Sequence, residues 1–80
     1  SDLSGFKVSK ASGDMNDCTT LGIYTGRDLK NAPMSGYVVW LNVSQDFNGG
    51  FVHQLCFVIN YDSLFFRHSN NGVWSTWRQI

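Results

Sequence analysis

Six aspartates, two histidines and two cysteines are the first side chains of this chain to consider for moving protons or attacking carbon, and there is no glutamate. General acid–base work needs donor and acceptor groups converging on one site, and the aspartates are scattered with no recognisable spacing. Asp14 and Asp17 stand in Asp14-Met15-Asn16-Asp17, where their oxygens serve better as caps for backbone N–H groups. His53, His68, Cys18 and Cys56 carry no local signature of a base or nucleophile. Metal-ligand spacing of the C-x-x-C or H-x-x-x-H kind is absent. No enzyme and no cofactor are expected. What remains is an indole near the C-terminus with guanidinium groups about it, Trp74 with Arg67 and Arg78. An indole flanked by guanidinium groups can stack under a sugar ring while the donors bond its hydroxyls. The same set can shield a sheet or grip a neighbouring subunit, the preferred reading, since Trp and Arg are common interface anchors.

Composition sets the limits. Eighty residues make one small domain, and such a chain buries only roughly 60–65% of its unfolded surface. Aromatics at 15% offset that by supplying large apolar areas per residue. Formal net charge is zero, so nothing draws in a phosphate backbone and nucleic acid is not an expected partner. No apolar run reaches membrane-spanning length, so membrane insertion is not expected either. The start at Ser1 rather than Met suggests a piece of a longer protein. A marginal core invites oligomeric support. A Cys18–Cys56 bridge is possible, but in Leu55-Cys56-Phe57-Val58 a buried free thiol is preferred. Asn42-Val43-Ser44 matches a glycosylation sequon at a predicted strand end and is given no weight.

The elements that must position these residues are mainly β. Phe6-Lys7-Val8 and Leu21-Gly22-Ile23-Tyr24-Thr25 read as short strands, and residues 14–17 as a single helical turn at most. From Tyr37 onward the pattern is β-branched and aromatic, in runs 37–43, 51–59, 63–68 and 73–80. Asn48-Gly49-Gly50, Asp62-Ser63 and Asn71-Gly72 separate them, Asn-Gly being the strongest hairpin signal. The expected fold is an antiparallel meander of about four strands, with short N-terminal strands ahead of it.

Two-residue loops at Asp62-Ser63 and Asn71-Gly72 would set Val58 opposite Arg67, Ile59 opposite Phe66, Phe66 opposite Trp77 and Phe65 opposite Arg78. One face then holds Leu55, Phe57, Ile59, Leu64, Phe66, Val73 and Trp77, and is expected to be the core, with His68 on the same side. The other holds Gln54, Cys56, Val58, Phe65, Arg67, Trp74, Thr76 and Arg78, and is expected to be half-wet. Trp74 and Trp77, three apart on a strand, fall on opposite faces. Gln54, Arg67, Trp74 and Arg78 are thus the candidate residues for contact with a ligand or a neighbouring subunit.

In order along the chain stand Asp14-Met15-Asn16, Thr19-Thr20 with Gly22-Ile23-Tyr24, Asn31-Ala32-Pro33 and Gly36. Gln54, Phe65-Phe66-Arg67, Asn71-Gly72 and Trp74-Ser75-x-Trp77-Arg78 follow. This ordered set resembles the small repeated domains of bacteriophage tail fibres and R-type pyocin fibres, the pyocin-knob type. The resemblance covers residues 14–80, leaving 1–13 as linker or preceding strand. Leu21 departs from it, since the family usually places proline before that glycine. The resemblance implies a β-rich module of a homotrimeric fibre on an extracellular virion or contractile particle, used in host-surface attachment. Bacterial surface polysaccharide is the implied ligand, its weak sites strengthened by valency. A spacer or trimerisation domain without ligand is the alternative, and a polysaccharide-degrading domain a distant third.

Overall fold

The computed structural model describes residues 7–44 and 50–80. The expected strand start at Phe6 and the Asn48-Gly49 part of one expected turn lie outside them. The elements are β1 (Val8–Lys10), a 3₁₀ turn (Met15–Asp17), β2 (Gly22–Arg27), β3 (Tyr37–Ser44), β4 (Phe51–Val58), β5 (Leu64–Asn70), β6 (Val73–Trp74) and β7 (Arg78–Gln79). They form one mainly antiparallel sheet in the order β1-β2-β3-β4-β5-β6, with β7 also on β5. The expected meander is present, preceded by β2 and by β1, which pairs with β2 in parallel. Gly26 permits that close approach: a Cβ there would lie 2.8 Å from both the Ala11 carbonyl oxygen and Leu29 Cδ1.

The two turns after β4 and β5 differ in how well local sequence specifies them. Asn71 and Gly72 both take positive φ, 51° and 86°, as a type I′ turn requires. Ser69 therefore faces Trp74 and Asn70 faces Val73. The turn before β5 is not a two-residue loop at Asp62-Ser63. Asn60 takes the left-handed conformation instead (φ 63°), which Asn tolerates well. Tyr61 N–H donates to the Val58 carbonyl at 3.1 Å, and the ladder ends at Phe57 opposite Leu64. Arg67 thus faces Gln54 rather than Val58. That displacement is four residues, an even number, so the residues expected to share a face on β4 and β5 still do.

Which face is inside is the reverse of the expectation. Val52, Gln54, Cys56 and Val58 of β4 and Phe65, Arg67 and Ser69 of β5 are buried. Phe57 (46% exposed), Ile59 (49%) and Phe66 (37%) lie on the open face. The reason is the nature of the cover. The buried face is roofed by the segment holding Met15, Cys18, Leu29 and Ala32, together with Trp77. A roof of irregular chain presents backbone carbonyls inward, and these need donors. The Asn42 and Gln54 side-chain amides on the sheet supply them, and Arg67 in turn donates to Gln54, so the more polar face is the inner one. Trp40, with no exposed surface, stacks on Tyr24 at 5.7 Å between centroids and anchors the core with Met15, Val38 and Cys56.

The roof is fastened locally as well. Asp14 caps the 3₁₀ turn by accepting from Asn16 N–H at 2.8 Å, as expected, and also accepts from Asn31 Nδ2 at 2.8 Å. Met15 N–H donates to Lys30 O, and Lys30 N–H to Gly13 O. The Asn31 amide, and then the Asn16 N–H, hold the Asp14 carboxyl below its ordinary value of 3.8, while burial opposes them. The unfolded chain therefore takes up that proton more readily than the folded one. The resulting stabilisation is complete above pH about 4 and is lost as pH falls through the lower folded value. Urea midpoints measured from pH 6 down to 2 should fall at the acid end, and less steeply in Asp14→Asn. Equal slopes in the two proteins would contradict this.

Candidate functional site

Across the inner face runs a row of polar side chains in register, Asn42 of β3 opposite Gln54 of β4, and Gln54 opposite Arg67 of β5. All three are buried, with Gln54 at 1% and Arg67 at 3% exposure. Asn42 Nδ2 donates to the Cys18 carbonyl at 2.8 Å and to Thr20 O at 3.1 Å. Gln54 Nε2 donates to Met15 O at 3.2 Å. The other end of that amide, Gln54 Oε1, accepts from Arg67 Nε at 2.7 Å. The row thus fastens sheet to roof on one side and holds a guanidinium on the other.

Two indoles enclose that guanidinium. Arg67 Cζ lies 3.9 Å from the Trp74 ring centroid and 4.6 Å from that of Trp77. Trp77 is fixed in turn by its Nε1, which donates to Asn31 O at 2.7 Å. Each cation–ring contact contributes about 0.5–2 kcal/mol, more when dry. Burial pushes the Arg67 guanidinium down to about 10, with the charge of Asp14 opposing, so it stays a cation at neutral pH. Its Nη2 is buried and has no hydrogen-bond partner among the described residues.

The expectation that the two tryptophans lie on opposite faces is overturned. β7 pairs Arg78 with Phe66 and Gln79 with Phe65, one residue later than a continuous hairpin would have it. Ser75 still bonds His68, its N–H to the carbonyl at 2.8 Å. Thr76 and Trp77 together therefore stand against Arg67 alone, as in a bulge. The extra residue swings Trp77 to the side of Trp74 and sends Arg78 to the other face, over Phe66 at 5.9 Å. Of the four candidate residues, Gln54, Arg67 and Trp74 converge and Arg78 does not join them. Gln54 and Arg67 are buried rather than half-wet, while Trp74 and Trp77 are half-buried. Asn31, Asn42 and Trp77 are the members that sequence reasoning missed. The spacing of Asn42 and Gln54 along two adjacent strands was the available signal for one of them.

The remaining chemistry-bearing groups sit apart. Cys18 and Cys56 are free. Burial pushes the Cys56 thiol up to about 12 and raises Cys18 as well, so neither is an activated thiolate. His53 and His68 are exposed on the outer face, not on the core side expected of His68. Among the described residues no three His, Cys, Asp or Glu side chains gather as a metal site, and no helix is long and apolar enough to cross a membrane. No family model, curated protein or solved structure matches the chain.

The outer face of the sheet is the molecule's other distinctive surface. Ile23, Leu41, Leu55 and Phe66 form one continuous cross-strand row, with Val8 at its β1 end. Val39, Phe57 and Leu64 form a second. Tyr37, Val43 and Ile59 add exposed apolar area around them.

Proposed function

We propose that this chain is a non-catalytic structural and adhesive module of a phage or phage-like tail fibre, contributing to attachment at the host cell surface. The observation that carries the reading is the apolar outer face. Two rows of aliphatic and aromatic side chains, on a chain of zero net charge, make a surface suited to burial against further copies. A homotrimer is the form the resemblance implies, and it would give weak adhesive sites the valency they need. On the opposite side, Trp74 and Trp77 keep part of each ring accessible while Arg67 braces them from within. Braced, half-exposed indoles can stack on bacterial surface polysaccharide without losing much freedom on binding.

Sedimentation velocity and a polysaccharide titration test the two halves separately. The isolated chain should sediment as an oligomer, and Phe57→Asp should reduce it to a folded monomer. Assembled chain should bind polysaccharide from the bacterial surface, and Trp74→Ala should abolish binding while far-ultraviolet circular dichroism stays unchanged. A wild-type monomer at the highest soluble concentration would remove the assembly reading. An oligomer that binds no surface polysaccharide would favour the second reading, a spacer or trimerisation domain. That alternative draws support from Gln54 and Arg67, whose polar groups are turned inward to the roof and to each other.

A further inference from the structure

The geometry points to a two-histidine site for a divalent first-row transition ion on the outer face. His53 of β4 and His68 of β5 are directly opposed in the ladder. Their rings stack with centroids 5.6 Å apart and planes inclined by 28°. Both are exposed, so each ring can turn about its side-chain bonds. Two nitrogens bound to one tetrahedral zinc lie about 3.4 Å apart, given metal–nitrogen bonds of about 2.0–2.1 Å. Rings stacked from directly opposed positions approach that spacing when their nitrogen edges turn toward one another about the side-chain bonds.

The surroundings leave the donors available. Val43 is the neighbour of His53 across β3, and Ser75 is bonded to the backbone of His68. Phe51, Leu55, Phe66 and Asn70 are the next residues on that face of β4 and β5 and carry no charge, while the Arg78 cation lies on the same face over Phe66. Imidazole donors suit zinc, nickel and copper, whereas magnesium and calcium prefer oxygen ligands. With two protein donors, at least two coordination positions stay open to water or to an outside donor. The site is therefore an exchangeable one, unlike a closed structural zinc centre.

The test is a titration of the whole chain with zinc, nickel or magnesium chloride alone. Calorimetry would be read together with imidazole resonances in nuclear magnetic resonance spectra. One zinc or nickel ion per chain should bind, shifting the His53 and His68 ring signals in step, and magnesium should do nothing. His53→Ala and His68→Ala should each weaken binding by about tenfold or more, because a single imidazole forms no chelate. His68 is tied to its turn through backbone N–H and carbonyl groups and the Ser75 side chain, so removing its ring leaves those bonds in place. Perturbation of one ring only, or single variants that bind as well as wild type, would overturn the proposal. Repeating the titration on Phe57→Asp separates it from self-association. Binding retained by that variant supports a chelate within one chain, and binding lost with the oligomer refutes it.

Discussion

Trp40→Ala should cost about 3–5 kcal/mol of unfolding free energy, the usual range for truncating a fully buried large aromatic. Trp40 has no exposed surface, lies on a central strand opposite Cys56, and stacks on Tyr24. Its side chain is the largest fully buried one among the described residues. A domain of this size has few other large groups able to close over the cavity, so relaxation will recover little. Each 1 kcal/mol shifts the melting temperature by about 4–8 °C in a domain of 60–100 residues, so the midpoint should fall by more than about 12 °C. Trp40→Phe should cost much less than its lost volume suggests. The Trp40 Nε1 is buried without a partner among the described residues, and a phenyl ring removes that orphan donor while retaining the stack. Urea unfolding followed by far-ultraviolet circular dichroism decides the matter. An alanine variant within about 1 kcal/mol of wild type would show that the site collapses freely.

Arg67→Ala should rank next, at about 3 kcal/mol, for two separable reasons. It strips Gln54 Oε1 of its donor in a buried setting and removes the cation against which both indoles are packed. Arg67→Lys should rescue little, because an ammonium has no planar face to lie along a ring and no fork to reach the amide squarely. Arg67→Met refills the volume, so what it still costs is the hydrogen bond and the two cation–ring contacts together. A double-mutant cycle with Gln54→Ala should then return a coupling of about 1–2 kcal/mol, within the range seen for residues sharing one network. Additive costs would mean that the 2.7 Å contact contributes no stability of its own. Tryptophan fluorescence offers a second readout, since Trp74 and Trp77 should change emission with Arg67 while Trp40 should not.

The strands were legible because their causes are local. β-branched and aromatic runs bounded by Asn-Gly or Gly-rich breaks suffice to place β3, β4 and β5, and Asn71-Gly72 sets its turn through the φ angles it permits. The Asp14 cap was equally readable, since a short acidic side chain needs only its own neighbours. Three features were not. The turn between β4 and β5 depends on Asn60 entering the left-handed region, and Asp62-Ser63 competes for the same role in the sequence. The bulge at Thr76-Trp77 has no marker in residue type; it follows from fitting Trp77 against Arg67 and Asn31 at once. Most consequential, counting apolar residues chose the wrong face as the interior. Leu55, Phe57 and Phe66 look like a core until one asks what covers the sheet, and the covering chain was the part with the weakest sequence signal. Three of the four candidate site residues came together because parity survived an even displacement, whereas Arg78 was lost to the one-residue bulge.

Stitches between sheet and roof join residues distant in sequence, Gln54 with Met15 and Asn42 with Cys18. The strands beneath are joined mostly to their immediate successors in the chain. Hairpins of that kind close cheaply, while a clasp spanning dozens of residues costs more entropy to fasten. The molecule is therefore built in two tiers of unequal permanence, a weave that can form early and an upholstery tacked over it later. Loosening the tacks would bare the Trp40 ring before it frayed the weave.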